Sequence, residues 1–359
     1  MDREEIEGIE VEDASEQEEE EESFSHARYL INSYGVDYTV DTLVKRYEDG
    51  AIVIPEFQRK YVWSFGQACR FIDSLLRGLP VPGIFMSKDE ERRLIVIDGQ
   101  QRLVTLADFY GGVFQGTRPF ALVNSDERFD GKTYRTLAEE DRRQLDDSIL
   151  HATIIEQLEP EDDDSSMYHI FERLNTTGLK LNPQEIRNVI YRGEFRQLLR
   201  DLNGFEPWRA VYGAESKRAK DQELILRFLA LLYASDSYGK PMKEFLNWFM
   251  FEHRDVDAKT SNEFRSVFKA TIGVVGECLG RKAFRPIRGL NAAVFDAVMV
   301  GIARRLEKGR IKDLDGLKWQ YFDLLDNERF IDAYTSSTTD VENVRARLEL
   351  ATAAFGGVG

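Results

Sequence analysis

A run of four apolar residues that passes directly into a polar turn constrains this chain more than any other feature. Leu94-Ile95-Val96-Ile97 has the length and side-chain branching of a buried strand, and it continues without a break into Asp98-Gly99-Gln100-Gln101-Arg102. From Gln101 onward, apolar residues recur at helical spacing as far as Gly111-Gly112. The sequence from Asp98 to Arg102, called the DGQQR motif below, is therefore predicted to lie at a strand-to-helix junction. Unpaired backbone amides at such a junction attract anions.

Each residue type in the DGQQR motif suits work on a phosphate ester. Arg102 can pair with a phosphate through two hydrogen bonds, and Gly99 lets the backbone approach a ligand closely. Asp98 can accept a proton or hold a divalent cation such as Mg²⁺, whereas Gln100 and Gln101 can orient a water or a phosphate oxygen. Spacing alone leaves open that the motif is only a turn that starts a helix, because Asp-Gly is common in turns.

Two further segments contain candidate ligand residues. Gln58-Arg59 lies just before Tyr61 and Trp63, and an arginine beside aromatic residues is typical of a site for a planar ligand. The same pattern fits an arginine packed on core aromatics. Asn175, in a loop between predicted helices, is either a helix cap or a ligand contact. Arg187-Asn188 lies on a predicted helix and needs a ligand or a polar network if it faces inward.

Charge is distributed unevenly along the chain. The first 23 residues hold 13 acidic side chains against one basic one, Arg3. Like charges and a lack of apolar surface predict that residues 1–24 form a disordered tail. This tail is either a solubilising segment or a mimic of nucleic-acid charge. The net charge of −16 is mostly that of the tail, so it does not exclude DNA as a partner.

A basic stretch in the last third of the chain is the candidate DNA contact. Residues 281–312 hold nine basic side chains against two acidic ones. Basic groups on helices can follow a phosphate backbone, although solvated helix faces have the same composition. The candidate DNA-binding residues are Arg281, Lys282, Arg285 and Arg288.

Several classes of protein are excluded by composition. Cys69 and Cys278 are too few for a disulfide framework or a cysteine-rich zinc site. The four histidines have no metal-ligand spacing, so no metal site is predicted. The acidic N-terminus is unlike a secretory signal, and no run of about 18 apolar residues occurs. These features favour a cytoplasmic protein without a membrane partner.

The pattern of predicted elements indicates an α+β fold. Strands and helices alternate up to about residue 165, and helical patterning dominates after it. We therefore expect an acidic tail at 1–24, an α/β domain at 25–165 and an all-helical domain at 166–359.

Five segments in order resemble the N-terminal family of GmrSD restriction endonucleases, also called domain of unknown function 262. They are IPEFQRKYVW, FIDSLLRGLPVP, VIDGQQRLVTL, FERLNTTGLKLNPQEIRN and TSSTTDVENVRARL, and they span about residues 38–350. The resemblance implies a core similar to ParB/sulfiredoxin nucleotide-binding domains, followed by a helical region. It also implies nucleoside triphosphate hydrolysis at the DGQQR motif and a role in bacterial defence against phage or foreign DNA.

The resemblance assigns roles residue by residue. The implied catalytic residues are Asp98, Gln100, Gln101 and Arg102, and the implied nucleotide-binding residues are Gln58, Arg59, Gly99, Asn175 and Asn188. Many longer relatives add a C-terminal His-Asn-His nuclease. No histidine follows His253 here, so cleavage by that chemistry is not expected within this chain.

The leading hypothesis is a nucleoside triphosphatase that takes ATP or GTP, with Mg²⁺ as a candidate cofactor. It would act with DNA and with a separate nuclease or effector subunit. Three alternatives remain open at this point. They are a DNA-recognition module without turnover, a ParB-like DNA nickase, and an interaction scaffold that uses the acidic tail.

Overall fold

The computed structural model describes residues 11–12, 30–55, 61–88, 92–159, 168–170, 172, 182–287 and 289–359. The backbone divides into two compact units, which are residues 28–181, called the sheet unit, and residues 1–27 with 182–359, called the helical unit. The expected boundary near residue 165 and most of the tail at 1–24 lie outside the described residues. An α+β sheet unit and a helical unit agree with the predicted fold class.

The strands are β1 Val11–Glu12, β2 Leu30–Thr39, β3 Ile52–Val53, β4 Ile84–Lys88, β5 Leu94–Asp98, β6 Val113–Phe114, β7 Arg118–Pro119, β8 Ile149–Glu159 and β9 Leu290–Asn291. The helices of the sheet unit are α1 Val40–Glu48, α2 Phe65–Leu76, α3 Gln100–Gly111 and α4 Glu139–Asp146. Those of the helical unit are α5 Pro183–Ile190, α6 Glu194–Asn203, α7 Glu206–Tyr212, α8 Lys220–Ala234, α9 Met242–Glu252, α10 Ala258–Cys278, α11 Ala292–Leu306, α12 Leu314–Leu325, α13 Glu328–Thr335 and α14 Val341–Gly356.

The sheet unit is built on a mixed five-stranded sheet with the strand order β2-β8-β4-β5-β3. The predicted strand Leu94–Ile97 is confirmed as β5, and the predicted helix beginning at the motif is confirmed as α3. Apolar side chains of α3 are fully buried, namely Leu103, Leu106 and Phe109. Burial of this apolar stripe holds α3 in place and fixes where the strand-to-helix junction lies.

Local capping sets the ends of the helices near the sheet. Ser64 caps α2, since its side chain accepts from the Gln67 amide while the Gln67 side chain accepts from the Ser64 amide. Thr39 caps α1, because its hydroxyl oxygen accepts from the Thr42 amide at 3.3 Å, and the helix therefore begins at Val40.

Strand register brings four distant residues to one end of the sheet. Asp37 on β2 pairs with His151 on β8. Strand β8 runs parallel to β4 with Ala152 opposite Ile84, so Gly83 lies level with His151. Strand β4 in turn pairs antiparallel with β5, with Phe85 opposite Asp98. The end of the sheet that holds the DGQQR motif therefore also holds Asp37, His151 and Gly83.

Residues 183–202 have one continuous helical pattern, but the structure breaks this segment into two helices. Helix α5 ends at Ile190 and α6 begins at Glu194. Gly193 between them lies against the backbone of Arg254. A Cβ at Gly193 would stand 2.3 Å from the Arg254 carbonyl oxygen, so only glycine fits this close approach and the helix cannot run through it.

Three buried charged side chains meet in the core of the helical unit. Asp296 on α11 accepts from Arg227 Nε at 3.1 Å and from Arg227 Nη2 at 2.7 Å. Arg347 on α14 also donates to Asp296, at 3.3 Å, and its Nη1 bonds the carbonyl of Thr338. Burial lowers the pKa of the Arg347 guanidinium, because water no longer solvates its charge.

Two further expectations concern thiols and membranes. Cys69 is buried and Cys278 is partly buried, and neither forms a disulfide. In the part of the chain that the structure describes, no helix combines the length and apolar character that crossing a membrane requires.

Candidate functional site

The strand-to-helix junction leaves the first turn of α3 without a side-chain cap. Gly99 is the N-cap residue and has φ of +100°, a conformation that side chains with a Cβ rarely adopt. Because glycine offers no capping oxygen, the first amides of α3 are left for another acceptor. The partial positive charge at a helix N-terminus adds to the attraction for an anion.

Close packing also requires glycine at position 99. A Cβ there would stand 3.0 Å from Arg102 Nη1 and 3.0 Å from Ile84 Cγ2. The motif glycine therefore serves two purposes, because it permits the turn and makes room for the arginine three residues later.

Arg102 is fixed through one of its nitrogens. Its Nη1 donates to the carbonyl oxygen of Gly83 at 2.6 Å and lies 3.4 Å from Asp98 Oδ2. Nε and Nη2 of Arg102 make no hydrogen bond within the described residues. The Arg102 side chain is 14% exposed and that of Asp98 is 25% exposed. The guanidinium thus has a set position and an edge that remains able to donate to an anion.

The Gln101 side chain holds the backbone at Val62 and Trp63 against α3. Its Oε1 accepts from the backbone nitrogens of Val62 at 3.0 Å and Trp63 at 3.2 Å. The hydroxyl of Thr105 bonds the Gln101 carbonyl at 2.6 Å and lies 2.6 Å from the hydroxyl of Tyr61. The side-chain oxygen predicted to orient a water or a phosphate is engaged with backbone amides.

The segment that Gln101 holds follows directly on Gln58 and Arg59, which lie outside the described residues. The aromatic residues after them pack within the sheet unit. The rings of Tyr61 and Phe114 pack edge to face with their centroids 5.4 Å apart, and those of Trp63 and Phe71 do the same at 5.5 Å. Burial raises the pKa of Tyr61 to about 12. These rings anchor the described segment that begins at Tyr61.

The remaining candidates have separate surroundings. The catalytic candidate Gln100 lies at the junction as the first residue of α3 and is partly exposed. Asn188 lies on α5 of the helical unit, where its Nδ2 donates to Gln222 Oε1 at 3.2 Å. Next to it, Arg187 is 1% exposed and donates to Asn247 Oδ1 at 2.8 Å. Asn175 lies outside the described residues.

The candidate DNA-binding residues have different surroundings. Arg281 and Lys282 are exposed. Arg285 is partly buried, and its Nη1 and Nη2 donate to the carbonyls of Val211 at 3.2 Å and Tyr212 at 3.1 Å. Its guanidinium therefore closes the C-terminal end of α7. Arg288 lies outside the described residues.

The acidic side chains at the junction can hold a metal ion only when the oxygens of a bound ligand complete its coordination. Among the described residues, no group of three His, Cys, Asp or Glu side chains is placed to hold a metal ion. Mg²⁺ that accompanies a nucleotide needs only one or two protein carboxylates, because phosphate oxygens and water complete its coordination. The partly exposed carboxylate of Asp98 fits that requirement.

Sequence reasoning missed a pair of side chains at the same end of the sheet. Asp37 Oδ1 accepts from His151 Nδ1 at 2.8 Å across 114 residues of sequence. Spacing gives no hint of a pair so far apart. The available signal was Gly35, since glycine inside a strand-like segment marks a close approach. A Cβ at Gly35 would stand 2.5 Å from Cε1 of His151.

An α+β unit with an uncapped helix N-terminus beside a fixed arginine has the features of an anion site. Residues 40–192 match the family model described as GmrSD restriction endonuclease, N-terminal domain. This part of the chain, which includes the DGQQR motif, is therefore similar to the N-terminal domain of that restriction-system family. The segment TSSTTDVENVRARL lies beyond the matched range. No curated protein matches the chain.

Proposed function

We propose that the sheet unit binds and hydrolyses a nucleoside triphosphate as part of a restriction or anti-phage system. One observation supports this most directly. Arg102 is held by the Gly83 carbonyl at 2.6 Å, and the edge formed by Nε and Nη2 is left to donate beside the uncapped start of α3. A fixed guanidinium next to the uncapped N-terminus of a helix is suited to a phosphate group.

The motif residues divide the work between binding and chemistry. Arg102 and the amides of the first turn of α3 bind the phosphate chain. Gln100 and Asp98 face the attacking water. Gln101 keeps the segment at Val62 and Trp63 against α3, and Arg59, three residues before Val62 in the sequence, would add a second positive charge.

The proposed reaction is attack of water on the terminal phosphorus. The new P–O bond forms while the bond to the bridging oxygen breaks, which yields inorganic phosphate and a nucleoside diphosphate. The proton of the water passes to the Asp98 carboxylate. Mg²⁺, when bound with the nucleotide, supplies charge neutralisation on the phosphate oxygens, and Asp98 is the residue that would hold it.

The test is steady-state phosphate release from ATP and GTP by the wild type and by Asp98→Ala. The matched control is Asp108→Ala, which removes a carboxylate from the other end of α3. Asp108 accepts from the backbone nitrogen of Gln115 at 2.9 Å and is not part of the motif. We expect Asp98→Ala to release phosphate at least about 100-fold more slowly, as for removal of an acid–base group. Asp108→Ala should release phosphate at the wild-type rate. Equal rates in all three proteins would remove the catalytic assignment.

We further propose that the helical unit contacts DNA through Arg281 and Lys282. Both are exposed, whereas Arg285 has a structural role at the end of α7. Removal of one basic side chain that binds a phosphate should reduce the slope of log affinity against log salt by roughly 1. Titration of duplex DNA at several salt concentrations, with wild type and the Arg281→Ala/Lys282→Ala double variant, measures this. An unchanged slope would discard both residues as DNA-binding residues.

A further inference from the structure

We propose that His151 is a binding residue for the planar base of the nucleotide whose phosphates bind at Arg102. The site is the row Gly35, His151 and Gly83 on strand β2, strand β8 and the start of β4, called the glycine–histidine row. This inference rests on the proposed function and adds the position of the nucleoside to it.

The row places one side chain between two glycines, and the residue paired with His151 on β2 is Asp37. A Cβ at Gly35 would stand 2.5 Å from Cε1 and 3.0 Å from Nε2 of His151, so the imidazole lies against Gly35 and glycine is needed there. A Cβ at Gly83 would stand 2.5 Å from the His151 carbonyl oxygen, so glycine is also needed at this close approach of the backbone.

The imidazole has a fixed orientation but remains accessible. Its Nδ1 donates to Asp37 Oδ1 at 2.8 Å, because a carboxylate can only accept. The His151 side chain is nevertheless 58% exposed. An aromatic ring that is held by Asp37, lies against Gly35 and is more than half exposed can stack a nucleobase on its exposed surface.

The row adjoins the proposed phosphate site through one shared residue. Gly83 lies level with His151 in the parallel register, and its carbonyl accepts the Arg102 Nη1 proton. Asp98 on β5 lies two strands away from His151 and two residues further along the sheet, which corresponds to about 12 Å. A nucleoside triphosphate is long enough to place its phosphates at Arg102 and its base on His151.

Charge argues for the base rather than for a second phosphate at this position. The Asp37 carboxylate beside His151 would repel a phosphate, whereas a neutral base or a ribose hydroxyl meets no such penalty. Asp37 acts as a positioning residue in this arrangement, because it holds the ring and does not need to touch the ligand.

The experiment compares two probes by isothermal titration, a nucleoside triphosphate and inorganic tripolyphosphate, which has no base. We expect His151→Ala to bind the nucleotide roughly tenfold more weakly, as for loss of a stacking partner, and to bind tripolyphosphate as the wild type does. Arg102→Ala should weaken both. The control Glu156→Ala, which removes the 3.8 Å ion pair to Lys88 at the other end of the same two strands, should leave both unchanged.

The role of Asp37 is tested by a pair of variants. Asp37→Ala frees the imidazole and should weaken nucleotide binding, whereas Asp37→Asn keeps an acceptor for Nδ1 and should restore most of the affinity. Thermal unfolding of each variant checks that the fold is retained.

The outcomes separate this inference from the function on which it rests. If Arg102→Ala weakens both probes while His151→Ala changes neither, the phosphate site stands and the base site is overturned. The base site is also overturned if His151→Ala weakens both probes equally. If the wild type binds neither probe, the proposed function fails, and the base site fails with it.

Discussion

The side-chain oxygen of Gln101 lies 3.0 Å from the backbone nitrogen of Val62, and this bond joins the DGQQR motif to the loop that follows Gln58 and Arg59. The neighbouring amide of Trp63 donates to the same oxygen. A glutamine in the motif therefore organises two segments that are 38 residues apart. Its contribution to the site is to place other residues.

Replacing Gln101 should expose this role. Gln101→Ala leaves two backbone amides without their acceptor, and we expect the free energy of unfolding to fall by about 1 kcal/mol. Gln101→Glu keeps a side-chain acceptor and should retain wild-type stability. Urea unfolding of both variants measures the difference. Full stability of Gln101→Ala, combined with an absence of phosphate release, would instead indicate direct binding of the ligand by this side chain.

A second prediction concerns the motif glycine. Gly99→Ala places a Cβ in a backbone conformation with φ of +100° and 3.0 Å from Arg102 Nη1. We expect a loss of about 1–2 kcal/mol in stability and weaker tripolyphosphate binding, because the guanidinium must move. The matched control is Gly66→Ala on α2, where a Cβ would meet nothing within 4 Å. That change should be neutral or stabilising by up to about 1 kcal/mol. Similar losses in both variants would argue against the strain at Gly99.

The junction was predictable because every determinant of it is local. Four apolar residues, a glycine and a helical repeat follow one another directly in Leu94 to Gly111. Strand β2 was missed because its residues from Leu30 to Thr39 mix polar and apolar types on a partly exposed edge strand. The pairing of Asp37 with His151 and the break at Gly193 both depend on distant backbone, so no spacing rule reveals them.

The third prediction is a fall in the free energy of unfolding at high pH that depends on Tyr61. Burial raises the pKa of Tyr61 from its ordinary value of 10.0 to about 12. The folded state thus holds a proton that the unfolded chain releases first, and stability falls as the pH rises from about 10 to about 12. Tyr61→Phe has no proton to lose and should show a smaller decline. Urea unfolding at pH 9 and pH 11, chosen as roughly bracketing this range, measures it. An identical decline in both proteins would contradict the assignment.

The fourth prediction concerns the buried charges of the helical unit. Asp296→Ala leaves Arg227 and Arg347 without their shared carboxylate, and we expect a loss of about 3–5 kcal/mol in unfolding free energy. The control is Asp340→Ala, which removes a half-exposed ion pair to Lys240 at 3.1 Å. That change should cost about 1 kcal/mol or less. A comparably small loss in Asp296→Ala would show that the buried group is not needed for stability.

The sharing of Asp296 by two arginines has an evolutionary consequence. Loss of Asp296 alone leaves two guanidinium groups buried without a carboxylate, whereas loss of Arg227 or Arg347 alone leaves the other arginine paired with Asp296. Descendants of this chain should therefore tolerate a change of either arginine more often than a change of Asp296, and those that lose Asp296 should also have replaced both arginines.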